Sequence, residues 1–148
     1  MVATNHALTG AIIGLSIGHP VALPLAFMSH FVLDAIPHYG EHPDHIQSRR
    51  FVVQLIIDAS LCGVLVLFLA ASSPAHWLLA VVCAFLAASP DFMWIPKFLR
   101  ARRGQPEKGS DSLIIRFHTR IQWFQRPAGA AVEAVWLAVS LTVLANLL

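Results

Sequence analysis

Charge is what this sequence has least of. Only 12% of its 148 residues are Asp, Glu, Lys or Arg, against roughly a quarter in an ordinary soluble domain. With 57% hydrophobic residues and a mean hydropathy of +0.67, that scarcity excludes a soluble globular domain and makes the chain a membrane protein. Cysteine is also scarce. Cys62 and Cys83 lie in apolar runs with no CxxC or Cys/His spacing, so both read as small core residues. No basic stretch precedes the first apolar segment, so no cleaved signal peptide is expected. The basic residues flank apolar runs and form no polar domain of their own, which argues against nucleic acid as a partner.

What is present is a succession of apolar segments, at about 3–18, 21–36, 51–71, 75–94 and 128–148. A spanning helix needs about 20 apolar residues. The last three segments meet this, while the first two form a shorter hairpin or a re-entrant pair broken at Gly18-His19-Pro20. Arg49 and Arg50 follow the second segment, and the other eight of the ten basic residues lie between the fourth and fifth. If all five segments span, both basic loops fall on one side, which the positive-inside rule makes cytoplasmic. The expected fold is therefore all-α: one integral membrane domain, 1–148, with about five transmembrane helices. Its N-terminus is expected inside and its C-terminus outside the bacterial inner membrane.

Two further patterns bear on packing. Gly10, Gly14 and Gly18 recur every fourth residue, a spacing that lets helices approach closely. Over 110–126, Leu113, Phe117, Ile121 and Phe124 form one helical stripe, Arg116 and Arg120 a second, and His118 with Gln122 a third. This predicts an amphipathic interfacial helix, capped by Ser110, Asp111 or Ser112. Its polar stripe is placed to close a site from the cytoplasmic side, and Arg116, Arg120 and Arg126 to anchor at lipid headgroups.

The acids carry the functional signal. Asp34, Asp58, Asp91 and Glu133 lie within or at the ends of apolar segments, yet no Lys or Arg lies in the body of any segment. A carboxylate in hydrocarbon costs at least ~2.5 kcal/mol. Such a set must be protonated, share a water-filled cavity or surround a cation. At about 1.5 Å per residue, all four fall about 7–10 Å from the same membrane face. His6 and His30 join them, whereas His19 and His76 fall on the opposite side. One shared polar site is the expectation.

His30 and Asp34 stand at i and i+4, on one helix face. Imidazole with carboxylate suits Zn²⁺, Mn²⁺ or Fe²⁺, and zinc is the leading expectation. His38 points toward or away from the site depending on Pro37, which ends or kinks its helix. The metal-ligand candidates are His6, His30, Asp34, His38, Asp91 and His118. Glu133, as general base, and Asp58 are the catalytic candidates. His42, Asp44 and His45 read as a solvated loop.

TNHAL at 4–8, AFMSHFVLD at 26–34 and SPD at 89–91 resemble the bacterial inner-membrane "membrane-bound metal-dependent hydrolase" superfamily. The chain is also similar to small bacterial membrane proteins with SHFxLDxxPH and a later FHxxIQ, here Phe117 to Gln122. The resemblance implies His6, His30, Asp34 and Asp91 as metal-site residues. The family's fuller Pro-Asp-x-Asp-His element is shortened here, because Asp91 is followed by Phe92-Met93-Trp94. The expected function is a membrane-embedded metal-dependent hydrolase acting on a lipid or amphiphilic ester or phosphoester. A non-catalytic scaffold or subunit and a cation- or proton-handling protein are the alternatives. Membrane lipid is the expected partner, with a homo-oligomer or larger membrane complex as the assembled form.

Overall fold

A computed structural model describes residues 1–39, 48–105 and 112–148. The chain is helical, with α1 (Ala3–Ile17), α2 (Ala22–Ala35), α3 (Arg49–Ser72), α4 (Trp77–Ala88), α5 (Ile95–Arg102), α6 (Leu113–Ile121) and α7 (Ala130–Leu147). Among the described residues there is no strand, only an isolated bridge between His38 and Gln125. Among the described residues three stretches are long and apolar enough to cross a membrane: Arg49–Ser72, Trp77–Arg102 and Pro127–Leu147. At 15 and 14 residues, α1 and α2 are only about 21–22 Å long, less than the ~30 Å of a bilayer's hydrocarbon core. The predicted 42–45 loop and the Ser110 and Asp111 caps lie outside the described residues.

Local sequence sets the breaks. Gly18 ends α1 with its N–H bonded to Gly14 O at 3.0 Å, and the chain turns directly into α2. Ile36 takes the extended conformation (φ −87°, ψ 160°) that a following proline favours, so α2 stops before Pro37. Pro90 interrupts the helical ladder after α4, and a 3-10 turn, Ser89–Trp94, carries the chain into α5. Ser112 caps α6 by accepting from Ile115 N–H.

α1 is the central helix. It packs most extensively on α4 and also touches α2, α7 and α3. Small residues dominate the contact surfaces: Ala7, Ala11, Ala80 and Ala84 with Leu8, Leu65, Leu69 and Leu144 in one cluster, Ala22, Ala26, Cys83 and Ala87 in another. The larger side chains point out, with Leu67 71%, Val32 64% and Leu78 62% exposed. Small residues inside and large aliphatic residues outside suit a bundle solvated by hydrocarbon, where close backbone packing replaces the hydrophobic drive. The glycine repeat is the α1–α4 contact itself. A Cβ at Gly10 would strike the backbone of Cys83, and one at Gly14 would lie 2.6 Å from Ala80 Cα.

The helices run so that the start of α1, the end of α2, the early part of α3, the end of α4 and the start of α7 meet at one end of the bundle. Asp58, for instance, reaches the first amides of α1, while Gly18 meets His76 at the far end.

Gly14→Val is expected to lower thermal stability in detergent by about 1–3 kcal/mol through overpacking. Gly63 has nothing within 4 Å of its Cβ position, so Gly63→Ala should raise stability by about 0.5–1 kcal/mol. Equal effects of the two substitutions would contradict the α1–α4 packing.

Candidate metal centre

Asp34 is the hub of the polar end. It is fully buried on the last turn of α2. Oδ1 faces the Met1 amine at 2.5 Å and His6 Nε2 at 3.1 Å. Oδ2 faces His118 Nε2 at 3.1 Å, Gln122 Nε2 at 3.1 Å and His30 Nε2 at 3.3 Å. Asp91, on the 3-10 turn after α4, brings Oδ1 to 3.7 Å from His30 Nε2 and 3.9 Å from His118 Nε2. Ligand atoms of His30, Asp34, Asp91 and His118 all lie within 4.8 Å of one another.

Each member is positioned by its helix. The His30–Asp34 pair uses adjacent turns of α2, and His118 and Gln122 do the same at the end of α6. Pro90 releases Asp91 from regular helix geometry, so the carboxylate turns toward His30. His30 Nδ1 donates to Ala87 O at 2.8 Å. That bond fixes the tautomer and leaves the Nε2 lone pair facing the cluster, as a carbonyl commonly does for a metal-bound histidine. Trp94 Nε1–H donates to His118 Nδ1 at 3.2 Å. His118 therefore carries its proton on Nε2, which points between His30 Nε2, at 2.8 Å, and Asp34 Oδ2.

The result is a convergence of acceptors. The His30 Nε2 lone pair, Asp34 Oδ2 and Asp91 Oδ1 share the proton from His118 and an amide N–H from Gln122. Such a group attracts a cation, and a divalent ion would neutralise the two carboxylates. The donor set, two imidazoles and two carboxylates, fits Zn²⁺, Mn²⁺ or Fe²⁺. One adjustment is required. Imidazole nitrogens at 2.0–2.1 Å from a tetrahedral ion stand about 3.3 Å apart, against 2.8 Å here, and His118 must move its proton to Nδ1. Trp94 Nε1–H would then face another donor.

The remaining expected residues are placed differently. His6 touches Asp34 at Oδ1, not at the Oδ2 that His30 and His118 face, stacks on His30 at 4.0 Å between ring centroids, and leaves Nδ1 without a hydrogen-bond partner. It holds Asp34 in position. His38 is buried but bonds back to Ile36 O at 2.9 Å, as the turn at Pro37 dictates, and stands outside the convergent group. Burial holds its imidazole below the ordinary pKa, and its Nε2 has no partner.

Asp58 and Glu133 lie at the same end of the bundle but spend their oxygens mainly on backbone amides. Asp58 accepts from Ala3 N at 2.7 Å, from Thr4 N at 2.8 Å and from Thr4 Oγ1. It thereby caps the start of α1 from a neighbouring helix, where Val2 offers no capping side chain. Glu133 accepts from Val2 N at 3.3 Å and Tyr39 N at 3.1 Å, tying α7 to α1 and to the segment after α2. Both act as clamps here, not as members of the convergent group. Trp94 was not among the expected residues. Its signal was an indole N–H donor three residues beyond Asp91.

Neither family models, curated proteins nor solved structures give a match to this chain.

Asp58→Ala is expected to cost about 1–2 kcal/mol of stability, the usual effect of losing a cap, without reducing metal uptake. Thermal unfolding with and without added Zn²⁺ measures both. Trp94→Phe removes the donor that opposes a Nδ1-protonated His118. Its metal affinity should match or exceed that of the wild type, and a loss greater than ~10-fold would show that the indole supports the site instead.

Proposed function

We propose that this chain is a membrane-embedded metal-dependent hydrolase of amphiphilic esters or phosphoesters. The observation that carries the reading is the buried convergence of His30, Asp34, Asp91 and His118, three of them fully buried and Asp91 27% exposed. His30, Asp34 and His118 hold the ion, zinc being the first candidate. Asp91 is farther from both imidazoles than Asp34 is, and it lines the large cavity beside α3. It faces the reactant and takes the proton from the attacking water. A divalent ion supplies Lewis-acid polarisation and a more acidic water. The hydroxyl of that water goes to the carbonyl or phosphorus centre, and the alcohol leaves with a proton.

The same proposal includes the membrane arrangement. α1 and α2 complete a five-span bundle beside the three longer helices, and the basic loops lie on the cytoplasmic side of a bacterial inner membrane. α6 lies along that surface. Leu113 is 80% and Phe117 56% exposed on it, Arg116 and Arg120 flank them, and His118 faces inward to the site. The sequence resemblance to the membrane-bound metal-dependent hydrolases supports this reading through His6, His30, Asp34 and Asp91.

The test separates ligands from the base. Wild-type protein purified in detergent and equilibrated with Zn²⁺, Mn²⁺ or Fe²⁺ should retain about one ion per chain. His30→Ala and Asp34→Ala should lose it. Asp91→Asn should keep the ion but lose hydrolysis of a chromogenic long-chain ester by at least ~100-fold. A wild type that binds none of the three ions sinks the reading.

A further inference from the structure

A cavity of about 1480 Å³ runs between α3 and the α4–α5 stretch, with α1 and α7 as its floor. Its walls are apolar, formed by side chains such as Leu55, Leu61 and Val66 from α3 and Val82, Phe85 and Leu99 from α4 and α5. Polar groups gather at one end, where Thr4, Asp58, Asp91 and Glu133 reach it. Asp91 therefore belongs to both the cavity and the metal-ligand cluster.

The cavity exists because α3 stands away from the bundle. Its described buried residues are Leu65 and Leu69 alone, in its far half. Asp58 pins it to α1, and between these attachments Gly63 has nothing within 4 Å. The space is open along one side, and its apolar walls offer water few hydrogen-bond partners but give a hydrocarbon chain extensive dispersion contact. The volume also exceeds the ~300–1,000 Å³ of drug-sized ligand pockets. The surrounding helices are those apolar enough to span a membrane, so the material that reaches this space is the bilayer itself.

We infer that the cavity is a docking site for a phospholipid of the surrounding membrane, which enters sideways between α3 and α5. Its acyl chains lie along Leu61, Val82 and Phe85, and its ester or phosphoester end rests beside Asp91. This rests on the hydrolase reading for the role of that end, and it narrows the substrate from amphiphiles in general to long-chain lipids taken from within the bilayer. Amphiphiles with short chains leave most of the apolar wall uncovered and are poor ligands.

The test uses the full chain reconstituted in nanodiscs of phosphatidylethanolamine and phosphatidylglycerol, then transferred to detergent for native mass spectrometry with metal content measured in parallel. Wild type should retain bound phospholipid. Leu61→Trp and Val82→Trp fill the cavity from opposite walls, and each should reduce retained lipid at least ~5-fold with ion content unchanged. Val139→Trp, on an exposed face of α7 outside the cavity, should behave as wild type. A wild type that retains no lipid, or fillers that retain as much as Val139→Trp, overturns the inference. Lipid displaced by both fillers in a protein that binds no ion would leave the docking site standing and remove the hydrolase.

Discussion

The burial of one carboxylate organises this molecule. Asp34 is fully buried at the end of α2, where an uncompensated charge is costly. Its compensation comes from a distance. His6 arrives on α1, His118 and Gln122 on α6, and the Met1 amine from the start of the chain. Segments far apart in sequence must therefore meet at one point before that carboxylate is satisfied. The other acids repeat the logic, since Asp58 and Glu133 are held by the first amides of α1 and by Tyr39 N–H. The N-terminal turn of α1, with its unpaired N–H groups, is the counter-charge around which α3 and α7 are pinned.

That polar end can be specific because the rest of the bundle is simple. Away from it, α1 and α4 meet through glycine and alanine, and their backbones come too close for a larger side chain at Gly10 or Gly14. Gly129 plays the matching part at the site end: a Cβ there would strike the backbone of His38. The segment after Pro37 thus lies directly against the start of α7, with His38 O accepting from Arg126 N at 3.0 Å. Close packing sets where each helix stands, and the polar groups then find partners within a few ångströms.

That the buried acids share one end of the bundle was legible from helix rise alone. Counting residues from the loops placed Asp34, Asp58, Asp91 and Glu133 in one slab, and they meet at one end of the bundle. The i, i+4 pairs were legible too, because His30 with Asp34 and His118 with Gln122 each share a helix face that turns to the same centre. Azimuth between helices was not legible. Asp58 and Glu133 lie at the same end of the bundle, yet Asp58 faces the first amides of α1 and Glu133 those of Val2 and Tyr39 instead of the imidazoles, and only tertiary packing decides that. The helical continuation of the fourth segment to Arg102 was obscured by Pro90 and Pro96. The proline break is nevertheless what turns Asp91 inward.

The histidine tautomers leave the cluster short of a donor. In a closed network each acceptor meets a donor. Here Ala87 O takes the His30 proton at Nδ1 and Trp94 directs the His118 proton to Nε2. The His118 N–H then serves His30 Nε2 and the Gln122 amide serves Asp34 Oδ2, while Asp91 Oδ1 stands 3.7–3.9 Å from the nearest ring nitrogens. Asp91 is too far for a hydrogen bond to either and is open to the cavity. Acceptors outnumber protons, and the shortfall lies on the side facing the apolar cavity. A cation placed among them would satisfy both carboxylates at once, with Asp91 at the edge that borders the cavity.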